Sequence, residues 1–201
     1  MRKANNRIKP SRLKKILFLV FAMAGNVAGC LFVERFSVPL YMDSVLTISV
    51  AAGCGPVFAV ACAVLSQVVM FLLKATAMPF VICHILTALL AWLAFRHYEK
   101  AFPREPISAE TFMWAGLWSA LSNAAVGNII VSALFSFRSD WTNTSPAVQG
   151  LYIATKNIVL ASYFQGILMN LADKLLSAIV SYGAYRIVFA RKTMVGGGRR
   201  Y

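Results

Sequence analysis

The sequence predicts an all-α fold: a polytopic membrane protein with six transmembrane helices in a compact bundle. Three observations carry the prediction. Of 201 residues, 59% are hydrophobic and only 13% are charged, well below the charge a soluble domain carries. Apolar runs long enough to span a bilayer recur from Ile16 to the region of Val188. The basic residues gather at the flanks of those runs, as the positive-inside rule expects. The chain divides into a basic cytoplasmic N-terminus (1–15), a membrane domain (16–190) and a basic, flexible C-terminal tail (191–201).

Span 1 runs from about Ile16 to Val33. Its basic-then-apolar start superficially resembles a signal peptide, but the run is long for one and further spans follow, so it reads as a retained helix. After the polar kink Glu34-Arg35-Phe36-Ser37-Val38-Pro39, span 2 is short, from about Tyr41 to Gly53, and ends in Gly53-Cys54-Gly55-Pro56. A helix so short crosses only if tilted or if the bilayer thins. Span 3 covers Val57 to Leu73. Span 4 starts after Met78-Pro79 and ends at Arg96-His97. Span 5 extends from near Ala109 to near Phe137, and span 6 from roughly Val159 to Phe189.

Fifteen basic residues fall in the two terminal segments and the Arg96–Arg104 loop, against four (Arg35, Lys74, Arg138, Lys156) in the alternate loops. That asymmetry predicts both termini in the cytoplasm. It also explains the net charge of +13 as membrane-flanking charge suited to an anionic leaflet rather than to nucleic acid. The longest outside loop, Ser136 to about Asn157, carries Trp141 and Tyr152. It reads either as a lid over a site or as an interfacial loop with its aromatic rings at headgroup level.

Asp173-Lys174 lies inside span 6, twelve residues before the next basic anchor, Arg186. That is roughly 18 Å of helix. Charges at such depth face a protein interior, pair, or line a pathway. The pair is therefore either a structural ion pair or part of a transport or binding site. Neighbours on a helix point about 100° apart, so each residue is expected to find its own partner. Asp173 shares a face with Asn170 and Ser177.

No GxSxG, HExxH or paired-carboxylate constellation occurs, and the two histidines lie at opposite ends of span 4. The sequence thus predicts no catalytic residues, no cofactor and no enzyme. Cys30, Cys54, Cys62 and Cys83 sit in apolar context without ligand spacing, so no metal site is expected. No repeated polar stripe argues for a channel.

Three stretches carry a family resemblance: Val38-Pro39-Leu40-Tyr41-Met42-Asp43-Ser44-Val45-Leu46-Thr47 followed by Gly55-Pro56; Asp173-Lys174-x-x-Ser177; and Ala24-x-x-x-Ala28. With these, the chain resembles the substrate-binding S component of an energy-coupling-factor (ECF) transporter. The resemblance implies capture of a vitamin or related micronutrient in the bacterial cytoplasmic membrane. It also implies delivery to a transmembrane coupling subunit driven by two ATPase subunits. Ala24 and Ala28, one turn apart, would dock on the coupling subunit, because small residues let helices approach closely in lipid. The chain itself has no GxxxxGK[ST] for ATP. It departs from the pattern at Ala59, Ala63, Ser66-Gln67 and His84, which leaves the substrate open. Within this frame a pocket near the outer face would draw on His84, Asn128, Trp141, Lys156, Asn157 and Asn170, with Asp173 and Lys174 below. A non-transport membrane scaffold or sensor subunit is the alternative reading.

Overall fold

The computed structural model describes residues 10–73, 75–103, 105–135 and 146–189. Trp141, the first nine residues and the tail from 190 lie outside the described residues. All regular structure among the described residues is helical: α1 (Arg12–Arg35), α2 (Thr47–Cys54), α3 (Pro56–Leu73), a 3₁₀ turn (Ala75–Phe80), α4 (Val81–Ala101), α5 (Ala109–Phe135), α6 (Pro146–Thr155) and α7 (Ile158–Val188).

Four stretches are long and apolar enough to cross a membrane: Arg12–Arg35, Pro56–Leu73, Met78–Ala101 and Ala109–Leu134. Their outward faces are greasy. Leu13, Leu17 and Phe21 on α1 and Trp118, Leu121 and Ile129 on α5 are exposed, which suits lipid rather than water. At 31 residues, α7 is roughly 46 Å long. Its hydropathy is lowered by Gln165, Asn170, Asp173, Lys174, Ser177 and Ser181, all of which are buried. The face it leaves exposed is apolar: Leu160, Phe164, Leu168 and Ile179.

The second apolar stretch departs from expectation. Helix starts only at Thr47 and lasts 8 residues, roughly 12 Å, and Tyr41–Leu46 is not helical. The reason is that side chains from distant helices claim the backbone groups of this segment. The stop is the expected one. Gly55 takes φ 92°, a conformation that favours glycine, and Pro56 opens α3 at the one helical position that needs no N–H. The loop read as a lid contains a helix, α6.

Lys14 Nζ donates to Val188 O at 2.7 Å and Lys15 Nζ to Cys54 O at 3.2 Å. Two ammoniums thus meet the carbonyl ends of α7 and α2, where helix dipoles favour cations, and the start of α1 shares one end of the bundle with those termini. An aromatic core fills that end. Phe95 and Phe112 rings lie 4.6 Å apart, Phe112 and Tyr182 5.4 Å, Phe18 and Phe189 5.0 Å. The polar groups lie beyond this core. Helices α5 and α7 cross closely: a Cβ added at Gly116 would stand 2.8 Å from Lys174 O and 2.9 Å from the Ala178 methyl. Small residues permit this approach, which in lipid is a main source of association.

Candidate functional site: a strapped loop and a buried ion cluster

The segment joining α1 to α2 is held by side chains, not by regular backbone pairing. Met42 sits at φ 49°, a left-handed conformation that a side-chain-bearing residue adopts only when its surroundings enforce it. Its N–H donates to Asp173 Oδ1 at 2.6 Å. Leu46 N–H donates to Asn26 Oδ1 at 2.8 Å. Asn26 Nδ2 in turn reaches Thr47 Oγ1 (2.9 Å) and Ser66 Oγ (3.2 Å), so this one buried amide ties α1 to α2 and α3. Ser181 Oγ donates to Val45 O (2.6 Å) and accepts from Ser49 N–H (3.1 Å). The loop is strapped to α1 on one side and to α7 on the other.

Beneath the strap lies a charge cluster. Lys174 Nζ stands 2.8 Å from Asp43 Oδ1, 2.7 Å from Asp173 Oδ2 and 2.6 Å from Ser44 Oγ. An ammonium has three N–H bonds, and three oxygens surround this one. The expectation that Asp173 and Lys174 would not meet is corrected, because the long lysine stem folds back across the offset between their Cα–Cβ directions. Each also finds a second partner, Met42 for Asp173 and Asp43 for Lys174. The other carboxylate oxygen of Asp43 lies 3.4 Å from His84 Nε2. Two carboxylates thus share one ammonium and one imidazole in an interior where an unpaired charge is costly. Asp43 alone is partly open, with 23% of its side chain exposed.

A polar seam continues between α4, α5 and α7. Thr87 Oγ1 donates to Cys83 O (3.0 Å) and accepts from Asn123 Nδ2 (2.9 Å). Asn170 Nδ2 donates to Gly166 O (2.8 Å). A Cβ at Gly166 would stand 2.5 Å from Asn128 Oδ1, so glycine there gives that amide room against α7. Among the described residues, His84 Nδ1 and Asn123 Oδ1 in this seam are buried without a hydrogen-bond partner, as are the Ser162 and Ser177 hydroxyls, which lie roughly 22 Å apart along α7. Buried polar atoms in folded proteins are nearly always paired. The orphans of His84 and Asn123, joined through Thr87, are therefore where a bound molecule would supply bonds.

The predicted site residues fall into two sets. His84 and Lys174 meet at Asp43, Asn128 and Asn170 meet at Gly166, and all of these are buried with Asp173. Lys156 and Asn157 are exposed. Asn157 caps α7, accepting from Val159 N–H (3.0 Å) and Leu160 N–H (3.1 Å), which accounts for it structurally. Ala24 and Ala28 face outward on α1, while the interleaved Gly25 and Gly29 pack inward on Leu46 and Met42. Sequence reasoning missed Asp43, Asn26, Thr87, Asn123 and Ser181. Asp43 carried a usable signal: an acidic residue in an apolar stretch needs a cation, and Lys174 was in want of an anion.

An open cleft of about 790 Å³ lies elsewhere, lined by Leu93, His97, Trp114 and Trp118 among others. His97 is roughly 20 Å along α4 from His84, so this cleft is remote from the ion cluster. No family model, curated protein or solved structure matches the chain.

Proposed function

We propose that this protein is a membrane-embedded binding subunit of the ECF S-component type. It captures a small vitamin-like molecule and hands it to an ATP-driven coupling module of one transmembrane subunit and two ATPases. The observation that carries the reading is the pair of buried, unpartnered acceptors on α4 and α5, His84 Nδ1 and Asn123 Oδ1, inside a bundle with an apolar exterior. Unpartnered acceptors inside an apolar bundle are what a binding site offers its ligand. The outward face of α1 supports the coupling step, since Ala24 and Ala28 are exposed and small enough for close helix approach.

In this reading the chain crosses the bacterial cytoplasmic membrane six times. α1, α3, α4, α5 and α7 are full crossings, and the strapped loop with α2 makes the remaining one. Both termini are cytoplasmic, as the basic asymmetry favours. The strap of Tyr41–Leu46 is the floor on which a substrate would rest, and Asp173 and Lys174 are its fastening. The test is isolation of the tagged protein from bacterial membranes. Co-isolation of an ATPase pair with a third, membrane-spanning subunit, together with ATP-dependent uptake in reconstituted vesicles, is expected. Isolation without ATPases would favour a membrane scaffold.

A further inference from the structure

The orphaned atoms have a direction, and it selects a ligand. Thr87 has one hydroxyl proton and gives it to Cys83 O. Its oxygen can therefore only accept from Asn123. This fixes the Asn123 amide: the NH₂ end meets Thr87, and the carbonyl Oδ1 is the end left without a partner among the described residues. On His84, the ring nitrogen facing the Asp43 carboxylate at 3.4 Å is Nε2. A carboxylate only accepts, so in the neutral ring the proton sits on Nε2 and the orphan Nδ1 is a lone pair. His84 and Thr87 are one turn apart on the same face of α4, and Asn123 bonds to Thr87, so the two lone pairs belong to one locality. Asp43 Oδ2, beside His84, is a third acceptor. Lys174, the neighbouring cation, is already ringed by three protein oxygens. Ser162 and Ser177 hydroxyls can donate or accept and do not discriminate.

We infer that the interior site between α4 and α5 takes its ligand by a donor-bearing nitrogen head, an amine, amide or amidinium, seated on His84 Nδ1 and Asn123 Oδ1. The site excludes carboxylate and phosphate heads there. This rests on the binding-subunit reading and narrows it to a substrate class. An acid head would face three acceptors and, among the described residues, no cation beside them other than Lys174, already ringed by three oxygens. A nitrogen head satisfies both orphans and is drawn toward Asp43.

The experiment uses three probes of one shape and different heads, benzamidine, benzamide and benzoate, each at about 5 mM, with thermal unfolding of the full chain in detergent as readout. Benzamidine and benzamide are expected to raise the midpoint by about 2–4 °C, and benzoate to leave it unchanged. In Asn123→Leu the ligand-free midpoint should hold or rise because an unsatisfied buried acceptor is removed; in His84→Phe it should fall because Asp43 loses its imidazole partner; in both, the response to the nitrogen probes is lost. His97→Ala should respond as wild type. A benzoate shift as large as that of benzamidine, no shift with any probe, or full benzamidine shifts in both variants would overturn the inference. ATPase co-isolation is indifferent to these probes. A protein that assembles with ATPases yet prefers benzoate would lose only the ligand class.

Discussion

Asp173 accepts the backbone N–H of Met42 at 2.6 Å, and Met42 is one of two residues of that loop, with Ser37, whose backbone is turned into the left-handed region. A carboxylate in the last helix therefore sets the shape of a turn near the start of the chain. The same carboxylate, through its other oxygen, lies 2.7 Å from Lys174.

The ion cluster should respond unequally to loss of its members. Lys174→Met leaves two carboxylates close together without their cation, and is expected to cost the most, roughly 3–5 kcal/mol. Asp173→Ala removes one anion and orphans the Met42 N–H, but Lys174 keeps Asp43 and Ser44. Asp173→Asn retains an acceptor for Met42 and should fall between Asp173→Ala and wild type. Lys100→Ala, on an exposed stretch, should change little. Thermal unfolding in detergent gives the order, and a wild-type midpoint for Lys174→Met would show that the cluster does not hold the loop.

Three glycines offer a graded test of close packing. A Cβ at Gly29 would stand 2.7 Å from the backbone oxygen of Met42, and one at Gly116 2.8 Å from that of Lys174. Backbone yields poorly, so Gly29→Ala and Gly116→Ala should each destabilise by about 1–3 kcal/mol. At Gly25 the obstacle at 2.7 Å is the tip of the Leu46 side chain, which can rotate, so Gly25→Ala should cost less. Equal midpoints for all three variants would contradict the tight α1–loop and α5–α7 approaches.

Ala24→Leu and Ala28→Leu should fold normally, since both positions face outward. They should weaken assembly with a coupling subunit by blocking close helix approach, while leaving the benzamidine response intact. Pull-down against the intact ATPase complex is the measurement. Normal assembly and uptake in both variants would place the docking surface elsewhere.

Terminal reporter fusions should report both ends in the cytoplasm, and a cysteine introduced at Tyr152 should label from outside. A periplasmic C-terminus would sink the six-crossing arrangement.

Much of the fold was legible because lipid demands long apolar runs, and those runs are visible residue by residue. The ends of α3, α5 and α7 lie close to the expected ones, and α4 extends beyond its apolar run through Tyr98, Glu99 and Lys100. The Tyr41–Leu46 strap was not legible as a non-helical segment. Its residues suit a helix locally, and its conformation is imposed by Asn26, Asp173 and Ser181 from other helices. Helix α6 was missed although Pro146 stands at its first position, a start signal, because Gly150 interrupts a run of only 10 residues. At the site, Asp173, Lys174, Asn170 and His84 announced themselves as polar residues at apolar depth. Asn123 and Thr87 passed unnoticed because each is unremarkable until the other is seen beside it.

The Asp43–Lys174 contact joins residues 131 positions apart, and this has a consequence for biogenesis. The carboxylate leaves the ribosome long before its counter-ion, so every nascent chain passes through a stage in which Asp43 has no cation to meet. Only arrival of the final helix ends that stage and lets the first loop set. A chain truncated before α7 would hold that loop by Asn26 alone, without the Asp173, Lys174 and Ser181 contacts that fasten its other side.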